Sequence, residues 1–337
     1  MAVGFGKSRG VTVLPMTKMA REFVLSGIRQ QKKVKPRLAE DDVAQLIVTP
    51  FAQTEIQTTV PDAGLNGYDV IIFFSYEPPI NERIMELRHA MQIAKRSSAD
   101  RITVVMTYMP YSRGDKQDQY HGSIALKDLA KDLDRYGAHL IVCDLHNPTT
   151  LGFFESARML SLREVLMAKA KEDYEIEVVV APDAGGVKRA RKWSEDLYID
   201  RELGRGVLDK KRKGNDDTAM SERYFGDSVR GKNVLLVDDE IATGSSMVSG
   251  AVVLERAGAR EIRAAAYHGI LAGPAIERLL KSPITKLTVT NTVPVSMTKV
   301  KQASGKLRVA SIESFLIEAA RKWYAGESLK PMIEYAY

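Results

Sequence analysis

Cysteine is almost absent: one, Cys143, stands in 337 residues. That excludes an intrachain disulfide and a four-cysteine metal site. Cys143 sits in an apolar, strand-like run and is expected to serve as a small buried hydrophobe. No apolar stretch is long enough to span a bilayer. The N-terminus has no hydrophobic segment followed by a cleavage site, so a cytoplasmic location is the expectation. Excess charge is small as well, at +6. This value suits anionic substrates as well as nucleic acid. The basic cluster Arg29-Gln30-Gln31-Lys32-Lys33-Val34-Lys35 is read as a solvated surface, and nucleic acid is not an expected partner.

What remains is ordinary for a soluble protein, with 45% hydrophobic and 27% charged residues. The length allows two domains with real cores. Short apolar runs alternate with helical patterns. Strands are expected at Val70–Phe74, Ile102–Met106 and Leu140–Cys143, with helices over Asn81–Lys95 and Ala125–Tyr136. The rhythm restarts after Gly152-Phe153-Phe154. Helices are expected from Ser161, Val187 and Ile312, and strands near residues 178, 234, 262, 286 and 307. This is an α/β pattern of mostly parallel sheets flanked by helices. It divides near residue 155, into domains 1–155 and 156–337. Residues 205–232 have little apolar periodicity and read as a long loop, mobile and basic, around Lys210-Lys211-Arg212-Lys213.

The most informative stretch is Leu235-Leu236-Val237-Asp238-Asp239-Glu240-Ile241-Ala242-Thr243-Gly244-Ser245-Ser246. An apolar strand leads into two adjacent acids, then into a small, hydroxyl-rich turn that opens a helix. Such a turn can wrap a phosphate with backbone N–H groups and hydroxyls. The carboxylates repel phosphate but suit sugar hydroxyls or a metal, so a ribose phosphate meets both demands. The turn is no Walker A loop, because no Gly-Lys-Ser/Thr closes it.

Four further clusters fall at strand ends, where open α/β sheets bind ligands. Arg113, Asp115 and Lys116 follow one strand, and Asp144-Leu145-His146 the next. Asp183-Ala184-Gly185-Gly186 places an acid that either holds Mg²⁺ or caps the following helix. Phe51-Ala52-Gln53-Thr54-Glu55 is the weakest of the four. Together they point to Mg²⁺-dependent phosphoryl chemistry, with oxygen ligands for the ion and basic groups for the phosphates.

These motifs, in this order, resemble the ribose-phosphate pyrophosphokinase family, also called phosphoribosyl-pyrophosphate synthetases. The likeness runs from about residue 67 to 330. It takes in Pro79-Ile80-Asn81, Pro110-Tyr111-Ser112-Arg113, Cys143-Asp144-Leu145-His146 and Pro182-Asp183-Ala184-Gly185-Gly186. Asp209-Lys210-Lys211-Arg212, the acid-pair motif, Gly269-Ile270-Leu271-Ala272-Gly273-Pro274-Ala275 and Val289-Thr290-Asn291-Thr292-Val293-Pro294 continue it. The resemblance implies two phosphoribosyltransferase-like domains with the active site between them, and a homo-oligomer. It implies transfer of the β,γ-diphosphoryl group of ATP to the anomeric hydroxyl of ribose 5-phosphate, with Mg²⁺. Phe51, Gln53, Glu55, Arg113, Asp115 and His146 would bind ATP. Asp238 and Asp239 would hold the ribose, and Ala242, Thr243, Gly244, Ser245 and Ser246 its phosphate. His146 and Asp183 would place the metal, and Lys210 and Arg212 would stabilise the transition state.

The chain departs from the family pattern in places. Gly114 replaces the usual Gln between Arg113 and Asp115. Gln53 and Thr54 differ in the adenine loop, and Lys211 replaces an Arg. Ala242 replaces Asp, and Ser245-Ser246 replace Gly-Thr. The changes at Gly114, Gln53 and Thr54 bear on the nucleotide, and those at Ala242, Ser245 and Ser246 on the group at the ribose 5-position. A larger acceptor such as ADP-ribose is therefore the alternative enzymatic reading, and a non-catalytic regulatory subunit the alternative outside catalysis. A base-transferring phosphoribosyltransferase accounts only for the acid-pair loop.

Overall fold

The computed structural model describes residues 10–31, 35–61, 64–117, 119–198, 200–211 and 221–333. The chain divides into two compact units, Met1–Ser161 with Ile312–Tyr337, and Leu162–Ser311.

The first unit is built on a parallel sheet. Its elements are β1 (Val11–Pro15), α1 (Lys18–Arg29), β2 (Ile47–Pro50), β3 (Ile56–Thr59) and β4 (Asp69–Phe74). They continue with α2 (Ile80–Arg96), β5 (Arg101–Met106), α3 (Ala125–Arg135), β6 (Ala138–Cys143) and β7 (Ala157–Leu160). The sheet order is β1-β4-β5-β6-β7, and every neighbouring pair is parallel. Helices cover such a sheet, so its strands carry continuous apolar runs: all six residues of β4 are buried. α2 buries Ile84, Leu87, Ala90, Met91 and Ala94, and α3 buries Leu126, Leu129, Ala130 and Leu133, both at helical spacing. Cys143 is fully buried, and burial pushes its thiol pKa up, as suits a packing residue. β2 and β3 form a separate antiparallel hairpin.

The second unit contains α4 (Arg163–Ala170), β8 (Val178–Ala181), α5 (Val187–Asp196), β9 (Gly204–Lys211), β10 (Ser221–Gly226), β11 (Asn233–Ile241) and α6 (Ser245–Arg256). It continues with β12 (Glu261–Gly269), α7 (Ala275–Leu280), β13 (Ile284–Thr290), α8 (Met297–Gln302) and β14 (Leu307–Ala310). Its sheet runs β10-β9-β8-β11-β12-β13-β14. All pairs are parallel except β10 with β9. Val234, Leu236, Ala264, Ala266 and Val289 pack in its core against Met247, Ala251 and Leu254 of α6.

Two features correct the sequence reading. The second domain was expected to hold everything from residue 156 onward. Instead, α9 (Glu313–Tyr324) belongs to the first unit and packs on α1. Trp323 Nε1 donates to Thr103 Oγ1 at 2.9 Å, and Ser161 N donates to Met332 O at 2.9 Å. These bonds join residues far apart in sequence, and no local pattern encodes them. Residues 205–232, expected as a loop, include the β9–β10 ribbon, in register from Gly206↔Gly226 to Lys211↔Ser221. Cross-strand pairing supplies the order that apolar periodicity does not show. Residues 212–220, with Arg212 and Lys213, lie outside the described residues. Among the described residues, no helix is long and apolar enough to cross a membrane.

Candidate active site

In the first unit, β5 and β6 are parallel neighbours, with Met106 paired to Val142. Their C-terminal loops therefore leave the sheet side by side. The loop after β5 carries Arg113 and Asp115, and the loop after β6 carries His146 and Asn147. Asn147 Nδ2 donates to Asp115 Oδ2 at 2.8 Å and ties the two loops together. Arg113 and His146 are exposed, and Asp115 is half-buried. Tyr111 takes φ +59° and donates from its hydroxyl to Asn81 Oδ1 at 2.6 Å, which braces the same loop on α2. On its Cβ side Gly114 faces Tyr111 and Ala125. An added Cβ would meet Tyr111 O at 3.4 Å, an ordinary contact.

Phe51, Gln53 and Glu55 lie on the exposed tip of the β2–β3 hairpin rather than at a sheet edge. The tip closes through Phe51 N to Glu55 O at 2.7 Å, with Thr54 at φ +72°. Thr58 Oγ1 and His89 Nδ1 stand 3.0 Å apart and anchor the hairpin to α2. Phe51 keeps 47% of its surface exposed. A large aromatic ring at a polar tip is suited to stacking on a flat ligand.

In the second unit, β8 and β11 are parallel neighbours. Asp183 follows β8, is exposed, and accepts from Gly186 N at 3.2 Å, so it caps the short turn Ala184–Gly186. β11 runs through the acid pair to Ile241, further than the apolar run suggests. Asp239 is buried and Asp238 nearly so. The sequence reading missed what holds them. Arg189 of α5 reaches Asp238 Oδ1 from Nη1 at 2.9 Å and Asp239 Oδ1 from Nη2 at 3.1 Å. The available signal was a basic residue within the first turn after Gly186, at the edge where β11 ends. Gly186 sits close behind, where a Cβ would lie 3.4 Å from Arg189 Nη1.

Burial, then the neighbouring Asp239, raise the Asp238 pKa from its ordinary 3.8 to about 8, with Arg189 opposing the shift. Burial and the adjacent acid thus disfavour two charges on the pair, and ligands that donate hydrogen bonds to the carboxylates offset that cost. The turn after β11 has Gly244 at φ +75°, a conformation that favours glycine. α6 begins at Ser245 without a side-chain cap on its first N–H groups. Thr243 Oγ1 and Ser245 Oγ stand 3.2 Å apart, and Ser245 and Ser246 are exposed. Ala242 contributes backbone only, its carbonyl accepting from Ala272 N at 2.8 Å. A diol above the acids and an anion at the helix start is what this end of β11 can hold.

Lys210 lies in β9, opposite Glu222, beyond the point where β8 stops. Among the described residues, no three His, Cys, Asp or Glu side chains gather around one metal position.

A family model for the N-terminal domain of ribose phosphate pyrophosphokinase matches residues 29–137. A second, for the phosphoribosyl synthetase-associated domain, matches residues 223–333. The first match begins well before residue 67, where the motif likeness starts. A ribose-phosphate pyrophosphokinase of Aquifex aeolicus is 38% identical over 290 residues, covering 85% of this chain and 90% of that protein. One of Deinococcus radiodurans is 35% identical over 276 residues, covering 80% and 84%. The crystal structure of phosphoribosylpyrophosphate synthetase from Mycobacterium smegmatis superposes with a TM-score of 0.82 at 28% identity. That superposition covers 94% of this chain and all of the other.

Proposed function

The chain belongs to the ribose-phosphate pyrophosphokinase family, and from that premise we infer its reaction. It transfers the β,γ-diphosphoryl group of ATP to the anomeric hydroxyl of ribose 5-phosphate, giving 5-phosphoribosyl 1-diphosphate and AMP. One observation carries the acceptor side: a buried acid pair at the end of β11, followed directly by a Gly244 turn and an uncapped helix start. That order matches the order of groups on the substrate, a diol and then a phosphate.

The division of labour is proposed as follows. Asp238 and Asp239 accept hydrogen bonds from the ribose hydroxyls, and the Ala242–Ser246 turn holds the 5-phosphate. Arg113, Asp115 and His146 bind ATP at the strand ends, and the Phe51, Gln53 and Glu55 hairpin tip meets the adenine. Lys210 and Arg212 offset charge at the β-phosphorus as the anomeric oxygen attacks and AMP departs. The anomeric hydroxyl loses its proton to solvent water as the new O–P bond forms, and AMP keeps the bridging oxygen of the broken one. Mg²⁺, when bound, would neutralise charge on the phosphate oxygens of ATP. Such an ion keeps waters and phosphate ligands and asks the protein for one or two donors. The exposed Asp183 carboxylate is of that kind, and His146, exposed at the other unit's strand end, helps place the complex. A cytoplasmic homo-oligomer is part of the same proposal.

The test is a substrate panel. The purified protein with Mg²⁺ and ATP is given ribose 5-phosphate or ADP-ribose, and AMP release and product mass are followed. Product from ribose 5-phosphate supports the reading. Product from ADP-ribose alone replaces the acceptor. No product, with activation of a partner synthetase, replaces catalysis by a regulatory role.

A further inference from the structure

The segment Gly269-Ile270-Leu271-Ala272-Gly273-Pro274-Ala275 has no part in the roles above. In the structure this segment and the helix it opens, α7, form the wall behind the 5-phosphate turn. Leu271 N donates to Ile241 O at 3.0 Å, and Ala272 N to Ala242 O at 2.8 Å. Three residues into α7, Arg278 donates from Nη1 to Thr243 O at 3.0 Å and to Ser245 Oγ at 2.6 Å. The turn is therefore pinned at residues 241, 242, 243 and 245 by one neighbouring segment. Arg278 is the cation in that set.

Charge gives the pinning a chemical meaning. Residues 238–246 contain three carboxylates, on Asp238, Asp239 and Glu240, and no Lys or Arg. Arg189 is occupied by two of them. A phosphate monoester carries about −1.5 to −2 at neutral pH. A helix N-terminus offers roughly half a positive charge against it. The turn needs a full positive charge from outside its own sequence. Both Arg278 bonds leave from Nη1, and a guanidinium has five N–H donors in a fixed fork. Ser245 supplies the side-chain acceptor that holds this fork at the turn; a glycine there has none.

We propose that Arg278, oriented by Ser245, is the residue that selects a phosphate monoester on the ribose 5-oxygen. The proposal rests on the reading that the 242–246 turn holds that group. A diester such as the 5-linkage of ADP-ribose carries a single charge per phosphate and gains less from the guanidinium.

The experiment compares the intact wild-type protein with Arg278→Gln, Arg278→Lys and Ser245→Gly. Binding of ribose 5-phosphate is read by calorimetry, independently of turnover. KM and kcat follow for each acceptor and for ATP. Arg278→Gln is expected to weaken ribose 5-phosphate about tenfold to a hundredfold. The KM for ATP and the melting temperature should stay at the wild-type values. Arg278→Lys should recover part of the loss, and Ser245→Gly should show a smaller one. The preference for ribose 5-phosphate over ADP-ribose should narrow in Arg278→Gln. Wild-type affinity in Arg278→Gln overturns the proposal, and so does an equal loss for both acceptors or for ATP. If the wild-type protein neither binds nor converts ribose 5-phosphate, the functional reading itself fails. Unchanged variants of an active wild type remove only the role of Arg278.

Discussion

Replacing Arg189 by Met removes the cation shared by Asp238 and Asp239 while keeping much of its packing volume. Breaking a buried ion pair from one side typically costs about 3–5 kcal/mol, because the remaining charge is stranded. Here the side chains of Arg189, Asp238 and Asp239 keep 20%, 19% and 10% of their exposure, so water screens part of the loss. About 2–3 kcal/mol is the expected cost at alkaline pH. In a unit of this size that is roughly 5–10 °C in Tm.

The pH dependence is the sharper test of this pair. The folded pKa of Asp238 lies at about 8, above its ordinary 3.8. Between these values the folded state holds a proton that the unfolded state has released. Stability from this group is therefore full below about pH 4 and lost as pH rises to about 8. Arg189 opposes the shift, so removing it leaves Asp238 protonated to higher pH. Arg189→Met should cost less at pH 5, where Asp239 alone loses its cation, and most near pH 8.5. Trp193 lies one turn after Arg189 on α5, is buried, and donates to the Tyr267 hydroxyl at 3.0 Å. Its fluorescence, in a Trp323→Phe background, reports melting of this unit. Adding Asp238→Asn to Arg189→Met should restore most of the loss, because repulsion between the acids is gone. A loss equal at pH 5 and pH 8.5, unrelieved by Asp238→Asn, would refute the electrostatic account.

Three further outcomes are expected. Gly27→Ala would place a Cβ 2.6 Å from Glu313 O and 2.5 Å from Ile317 Cγ1, prying α9 from α1. A loss of about 1–3 kcal/mol should appear in the urea midpoint read by Trp323, and an unchanged midpoint means α9 does not pack there. Asn147→Ala frees Asp115 and should raise the KM for ATP about tenfold while sparing that for ribose 5-phosphate; equal changes in both would refute the tie between the two loops. Lys210→Ala should cut kcat by about a hundredfold or more with ribose 5-phosphate affinity unchanged, and near wild-type turnover removes its proposed role.

The strands that form the two sheet centres were legible because burial on both faces writes continuous apolar runs, as in Val70–Phe74 and Val234–Val237. The acid pair and its turn were legible for a related reason. A strand end, a left-handed glycine and a helix start are consecutive in sequence, so their chemistry is written in one place. The β9–β10 ribbon was not legible, since its order comes from pairing between Lys211 and Ser221 across nine intervening residues. Hairpin placement of Phe51 to Glu55 was missed likewise, because Thr49 and Gln57 pair without a strong apolar alternation.

Local order along the chain thus determined which chemical groups stand together: an acid pair at a strand end, a hydroxyl-rich turn that opens a helix, and basic residues in the loops. Tertiary structure alone decided which side chains meet. Arg189 crosses 49 residues to reach Asp238, Arg278 crosses 33 to reach Ser245, and Trp323 crosses 220 to reach Thr103. Adjacent parallel strands end at the same edge however far apart they lie in sequence, and that edge is where unlike segments are forced to balance one another's charge.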